Sequence, residues 1–223
     1  MIVNSDITWK NHLFGNDDDD GLLKALSKRV GMLIQLRKHL PNDKFRQAVS
    51  ALFSSKLCYC ITVWGGVWNL PGDLNDNTRY NTSITKEAMR KLQVVQNKCM
   101  RMMTGLDRST PTKTLLKHSN LLSVHQTVAH HSAVQVYNVL KHEAPVHHYQ
   151  RLFPQLVHDV NRRSATNLTT SVDFSNALGR SSFFYQSSKI WNAIPASIKT
   201  AETLQTFKTG CKKWIMNTIS IRP

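Results

Sequence analysis

Residues 91–105 read KLQVVQNKCMRMMTG, the most informative run in the chain. At about 100° per residue, a helix through this run gathers its apolar side chains on one side and its basic ones on the other. The apolar side holds Ala88, Leu92, Val95, Cys99, Met102 and Met103; the polar side holds Lys86, Arg90, Asn97 and Arg101. Gly105 stands where a left-handed residue ends a helix, and Thr110-Pro111 keeps the helix from continuing. The run therefore predicts a helix with one face that packs and one that can meet an anion.

Most of the remaining chain also has helical spacing, so the predicted fold class is mainly α. Residues 22–40 form one predicted helix, which carries Leu23, Leu26, Val30, Leu33 and Leu36 or Leu40 and ends at Pro41. Asn42 or Asp43 is expected to cap the next helix. Its inward stripe is Phe45, Val49, Leu52, Phe53, Leu57 and Cys60. Later helices are predicted at 112–118, from Ser123 to Leu140, and at about 201–218.

Three other runs accompany the first one in a fixed order. They are VNSDITWKNHL at 3–13, LCYCITVWGG at 57–66, and RSSFFYQSSKIWNAIPASI at 180–198. Together with the Leu-Gln-x-x-Gln-Asn-Lys helix, this order resembles the C-terminal third of jockey-like LINE (non-LTR) retrotransposon reverse transcriptases. The resemblance implies a remnant of the strand and turn after the polymerase palm plus an acidic loop at 1–20, and a thumb-like helical domain at 21–155. A basic polar linker at 156–180 and a C-terminal aromatic and helical element at 181–223 complete the expected organisation.

In such polymerases the thumb grips the backbone of the template-primer duplex. The resemblance therefore implies sequence-independent binding of RNA or an RNA–DNA hybrid through phosphate contacts. The expected contact residues are basic side chains in two groups. The first group is Lys86, Arg90, Lys98 and Arg101, and the second is Lys24, Lys28 and Arg29.

The carboxylates that would make the chain a polymerase are missing. Nucleotide transfer by such enzymes needs two metals held by carboxylates, including those of a Tyr/Phe-x-Asp-Asp turn. The nearest run is FGNDDDDG at 14–21, in which the aromatic residue stands too far from the first acid. We interpret it as a solvated acidic loop, with loose binding of divalent cations as the alternative. No Gly-x-Ser-x-Gly motif surrounds any serine. The sequence thus predicts no catalytic residue, no cofactor and no enzyme activity.

The charge of the chain indicates an anionic partner. The net charge is +15, and residues 1–20 hold one lysine against five aspartates, so the excess of basic residues lies in the remainder. Nucleic acid is the first partner to test and an anionic membrane surface the second. No run of about 18 apolar residues and no signal sequence is present, which predicts an intracellular protein, nuclear or cytoplasmic, without a membrane partner. The sequence leaves the oligomeric state open.

Cysteines and histidines do not have metal-binding spacing. The four cysteines include one C-x-C and no C-x-x-C pair, which favours free thiols in a reducing compartment. The doublets His130-His131 and His147-His148 point about 100° apart on a helix, unlike the i, i+4 pairs of zinc helices. We therefore predict no metal site.

Aromatic residues near the C-terminus have two interpretations. Phe183, Phe184, Tyr185 and Trp191 are predicted to form the hydrophobic centre of a small C-terminal unit, with Tyr185 the member most suited to stacking on a base. The function also keeps two alternatives. The chain could serve as a co-opted helical protein–protein interaction module, or it could be an inert fragment of a decayed element.

Overall fold

The structure is a computed structural model, and it describes residues 9–17, 19–65, 83–142, 145–148, 183–219 and 221. The chain divides into two compact units. Unit 1 comprises Met1–Gly65, Thr82–His125 and Ile221–Pro223, and unit 2 comprises Gly66–Asn81 and Gln126–Ser220.

The described residues are mainly α-helical, which confirms the predicted fold class, and no β-strand occurs among them. The helices of unit 1 are α1 (Lys10–Phe14), α2 (Leu22–Arg37), α3 (Asn42–Val49), α4 (Ser55–Cys58), α5 (Ile61–Trp64), α6 (Ser83–Thr104) and α7 (Thr112–Ser119). Helix α8 (Val124–His142) begins at the end of unit 1 and continues in unit 2. Unit 2 also holds α9 (Phe183–Ala193), α10 (Ala196–Lys199) and α11 (Leu204–Thr218).

The core of unit 1 is built from the apolar stripes predicted by helical spacing. Burial of each such side chain is worth about 1.5–3 kcal/mol, so the stripes fix which face of each helix turns inward. Helix α2 buries Leu26, Val30 and Leu33; the chain from α3 to α4 buries Phe45, Val49, Phe53 and Leu57; α6 buries Ala88, Leu92, Val95, Cys99 and Met103. Met102, which was expected among them, is only half-buried.

Two helix ends test the expected capping residues. Gly105 adopts φ +71° just after α6, and its N–H donates to the carbonyl of Arg101 at 2.8 Å, so the predicted left-handed end is confirmed. The expected cap of α3 is wrong, because Pro41 occupies the N-cap position and no side chain caps the helix. Asn42 instead accepts a hydrogen bond from Arg37 through Oδ1, at 2.6 Å.

The helix predicted from Asn42 or Asp43 to Cys60 is not continuous in the structure, because it is interrupted twice. A π-helical turn spans Ser50–Ser54, between α3 and α4. After α4, Cys60 adopts the left-handed conformation with φ 52° and starts α5. The helix therefore ends before Cys60, which is half-buried. Beyond it Trp64 is buried, and its Nε1 donates to the carbonyl of Tyr59 at 3.0 Å.

The segment after Trp9 is helical, where the sequence predicted a strand and a turn. Residues Lys10–Phe14 form α1, and the earlier part of the predicted strand lies outside the described residues. The acidic loop that follows is closed by a bridge between Gly15 and Asp20. A Cβ atom on Gly21 would lie 2.1 Å from the backbone nitrogen of Gly15, so only glycine permits this closure.

Unit 2 has an aromatic core. Tyr137 of α8 stacks on Phe207 of α11 at 4.4 Å between ring centroids, and Trp191 of α9 lies 5.8 Å from Phe207. Cys211 and Ile215 of α11 are fully buried beside it. This confirms the predicted aromatic centre for Trp191, whereas Phe183, Phe184 and Tyr185 are only half-buried. The division between units falls after His125, and the Tyr137 ring joins α8 to α11 within unit 2. The predicted linker at 156–180 lies outside the described residues.

Candidate nucleic-acid interface

The polar side of α6 borders a groove of about 580 Å³ within unit 1. Arg90 is exposed at this groove and Lys86 is half-buried, while Val94 presents an exposed apolar surface between the polar residues. The opposite side of α6 is fixed in the core through Leu92. The complete lining is Lys86, Glu87, Met89, Arg90, Gln93, Val94, Asn97, Thr112, His125 and Ile221.

Glu87 is the carboxylate that lines this groove, and neighbouring cations offset its charge. Lys91 forms an ion pair with Glu87, with 2.7 Å between Nζ and Oε1. The hydrogen bond from Lys91 and, to a smaller extent, the charge of Arg90 lower the pKa of Glu87. Arg90 and Lys86 therefore give the groove an excess of positive charge.

Three amide side chains of α6 form an internal clasp, Gln93–Gln96–Asn97. Gln93 Nε2 donates to Gln96 Oε1 and to Asn97 Oδ1, each at 2.9 Å. Gln96 Nε2 then donates to the carbonyl of Leu122 at 3.0 Å, and Gln93 Oε1 accepts the N–H of Val124 at 2.9 Å. The clasp therefore ties α6 to the start of α8.

Asn97 completes the clasp by donating to Thr112 Oγ1 at 3.0 Å. The sequence placed Asn97 on the side that meets an anion. Its amide instead joins α6 to the first residue of α7, so the polar part of the Leu-Gln-x-x-Gln-Asn-Lys run holds helices together.

Arg101 also has a structural role that the sequence did not indicate. Its Nε donates to the carbonyl of Asp107 at 3.3 Å, and its Nη2 donates to the carbonyls of Arg108 at 3.0 Å and Thr110 at 3.4 Å. The guanidinium group thus organises the connection between α6 and α7. Lys98, one turn earlier, is exposed.

The second predicted basic group does not form one site, because Lys24 and Lys28 contact Asp20 whereas Arg29 does not. Lys24 lies 2.7 Å from Asp20, and Lys28 also pairs with Asp20, so two of the expected phosphate-binding lysines contact the acidic loop. Their hydrogen bonds lower the pKa of Asp20. Solvent screens exposed ion pairs of this kind and keeps them weak, so a phosphate group can compete with them.

Arg29 faces elsewhere, toward a hollow that it lines with Ser55, Lys56 and Tyr59. Its Nη1 donates to the carbonyl of Leu52 at 2.7 Å. The sequence interpretation omitted Lys56 and Tyr59 from the candidate site. The available signal was a lysine and an aromatic residue three positions apart in an apolar run, where a helix places both on one side.

Three cysteine thiols have raised pKa values because burial disfavours their charged form. Burial raises the pKa of Cys58 to about 11 and that of Cys99 and Cys211 to about 12. All four cysteines are free thiols. Within the described ranges, no group of three or more His, Cys, Asp or Glu side chains is placed to hold a metal ion.

No helix in the described part of the chain combines the length and the apolarity that crossing a bilayer requires. No family model, curated protein or solved structure matches this chain.

Proposed function

We propose that this chain is a non-catalytic nucleic-acid-binding fragment of a LINE-like reverse transcriptase, which grips the backbone of RNA or an RNA–DNA hybrid through the basic face of α6. The observation that carries the proposal is the position of Arg90. It is exposed at a groove, on a helix whose other side is anchored in the core of unit 1. The net charge of +15 and the order of the sequence runs support the same function.

The physical basis is the attraction of fixed cations for phosphate. A guanidinium group binds a phosphate through paired N–H donors and carries no information about the base sequence. Because counterions are released on binding, the affinity must fall as the salt concentration rises. Sequence-independent, salt-sensitive binding is therefore the expected behaviour.

Charge reversal at Arg90 tests the proposal. The Arg90→Glu variant should bind an RNA–DNA hybrid several-fold more weakly than the wild type. The plot of log affinity against log salt should become less steep by about 0.7–0.9 for each phosphate group that the variant no longer neutralises. Fluorescence anisotropy with a labelled hybrid, measured over a series of salt concentrations, gives both quantities. Arg101 is unsuitable for this test, because its replacement also leaves three carbonyl groups without their donor.

Two control variants separate a specific contact from net charge and from folding. Lys44→Glu makes the same charge change at an exposed site on α3. Leu92→Ala removes a side chain that is 1% exposed, and it should lower the free energy of unfolding by about 2–5 kcal/mol while the folded fraction keeps its affinity. If Arg90→Glu and Lys44→Glu bind the hybrid equally well, the α6 face is not the binding surface.

A protein–protein interaction module is the second candidate, and exposed apolar residues on α2 favour it. Met32 is 56% exposed and Ile34 is 49% exposed. Each of these side chains can contact a protein partner, and binding through apolar contacts depends weakly on salt. The salt series above distinguishes the two functions, since phosphate binding weakens steeply with added salt.

A further inference from the structure

The hollow beside α4 combines two cations with an exposed aromatic ring. Its volume is about 220 Å³, and Arg29, Ser55, Lys56 and Tyr59 line it. Tyr59 is 52% exposed, and Lys56 Nζ lies 5.7 Å from the centre of its ring. The hollow belongs entirely to unit 1 and shares no lining residue with the groove of α6.

The π-helical turn before α4 sets the direction of these side chains. The N–H of Ser55 donates to the carbonyl of Ser50, five residues earlier, so this turn holds one residue more than an α-helical turn. The extra residue rotates everything after it by about 100° relative to an uninterrupted helix. Lys56 and Tyr59 therefore lie on the side that faces Arg29. Turns of this kind occur often at functional sites.

A hydrogen bond from Trp64 restrains the backbone at Tyr59, while the Tyr59 ring is exposed. The Tyr59 carbonyl accepts the hydrogen bond from Trp64 Nε1 at 3.0 Å, and Trp64 is buried. The next residue, Cys60, keeps the left-handed conformation at φ 52°, which non-glycine residues rarely adopt and which costs energy. The fold thus fixes the backbone that carries this exposed aromatic ring.

One hydrogen bond orients the Arg29 side chain and occupies only part of its guanidinium group. Its single hydrogen bond among the described residues runs from Nη1 to the Leu52 carbonyl, within the π-helical turn. A guanidinium group has five N–H donors, so several remain for an anion in the hollow. Lys56, which belongs to α4, adds a second cation to the hollow.

We propose that this hollow binds one nucleotide of a single-stranded nucleic acid, with its base stacked on Tyr59 and its phosphate held by Arg29 and Lys56. Base stacking on an exposed aromatic ring strengthens binding by about 5- to 150-fold per base, regardless of the base's identity. A base within a duplex is stacked on its neighbours and cannot offer its face, so the hollow selects an unpaired strand. The proposal extends the proposed function, on which it rests for the class of ligand.

The test compares three labelled probes by fluorescence anisotropy: a short oligouridine, an abasic strand of the same length, and an RNA–DNA hybrid. Tyr59→Ser should weaken oligouridine binding by at least about fivefold, which corresponds to the lower end of one stacked base. Binding of the abasic strand and of the hybrid should not change. Tyr59→Phe keeps the ring and should bind oligouridine as the wild type does.

Lys56→Gln tests the phosphate contact, and Lys44→Gln is its matched control on α3, where the lysine is exposed. Lys56→Gln should weaken binding of both single strands and flatten their salt dependence by about 0.7. Lys44→Gln should leave both nearly unchanged. The thermal midpoint of each variant verifies that it is folded, and Lys56→Gln keeps the test valid should Tyr59→Ser fail to fold.

The outcomes separate this proposal from the function proposed for α6. Wild-type binding of oligouridine by Tyr59→Ser would overturn the stacking site, as would an equal loss for the oligouridine and the abasic strand. Neither result affects the α6 interface, because that interface is tested by Arg90→Glu on the hybrid. The converse result is also possible. If Arg90→Glu binds the hybrid as the wild type does while Tyr59→Ser loses affinity for oligouridine, the single-strand site is supported and the α6 interface is overturned.

Discussion

His130 of α8 shows how a single residue links packing to pH. Its Nε2–H donates to the carbonyl of Lys208 in α11 at 3.2 Å. Burial, with a smaller effect from the charges of His131, Lys212 and Lys208, lowers the pKa of His130 from 6.5 to about 4, although the hydrogen bond acts in the opposite direction. The imidazole is therefore neutral in the folded chain at neutral pH, and the neighbouring cations favour this form.

This shift predicts a loss of stability in mild acid. The folded pKa lies below the unfolded value, so the stabilisation is complete above pH 6.5 and is lost as the pH falls toward 4. One such group should lower the free energy of unfolding by about 1–2 kcal/mol between pH 7 and pH 5. Urea unfolding at several pH values, followed by circular dichroism, measures this. Burial also lowers the pKa of His12 and His131, so both add to the effect in the same direction.

The contribution of His130 is isolated by replacing it with glutamine, which keeps an N–H donor for the Lys208 carbonyl. The His130→Gln variant should lose less stability on acidification than the wild type. The same replacement at His118, which is exposed on α7, serves as the matched control for the substitution itself. Identical slopes for the wild type and His130→Gln would contradict the assignment.

At the scale of single helices, two glycines should respond oppositely to the same substitution. Gly31 lies within α2, and a Cβ atom there would meet nothing within 4 Å. Gly31→Ala should therefore stabilise the fold by about 0.5–1 kcal/mol, through the higher helix propensity of alanine. Gly105 is equally open in space but has φ +71°. Gly105→Ala should destabilise the fold by about 1–2 kcal/mol, because the left-handed conformation is unfavourable for alanine.

Thermal or denaturant unfolding of the two variants checks the signs. Each variant controls for the other, since both add one methyl group at an uncrowded site. Stabilisation by Gly105→Ala would mean that α6 does not end in the left-handed conformation there.

Spacing in the sequence predicted the helices and their inward faces, but not the partners of polar side chains. Leu26, Val30 and Leu33 are buried as expected, because burial follows from a period of 3.6 alone. The roles of Asn97 and Arg101 depend on residues in α7 and in the connection before it, which no local pattern specifies. The π-helical turn could not be predicted either, since its stripe of apolar residues resembles that of an ordinary helix. The spacing of Lys56 and Tyr59 indicates that they share one side of a helix, but their orientation toward Arg29 depends on that turn.

At the scale of the whole chain, the proposed function predicts the absence of polymerase activity. The purified chain should not extend a DNA primer on an RNA template in the presence of magnesium or manganese. Two catalytic metals need carboxylates on a rigid scaffold, whereas Asp20 of the acidic run pairs with Lys24 and Lys28. Incorporation of labelled nucleotides, with an authentic reverse transcriptase as the positive control, measures this. Extension that persists through repeated purification would show that the chain is an enzyme.

The positions of two cysteines give the molecule separate chemical reporters. Cys99 is fully buried in unit 1 and Cys211 is fully buried in unit 2. A thiol whose pKa is raised to about 12 is almost entirely protonated at neutral pH, and the thiolate is the form that reacts with alkylating reagents. Labelling of either residue thus requires the local structure around it to open. Pulsed alkylation followed by peptide mass spectrometry therefore records the opening rate of each unit in the unmodified sequence, without an added probe.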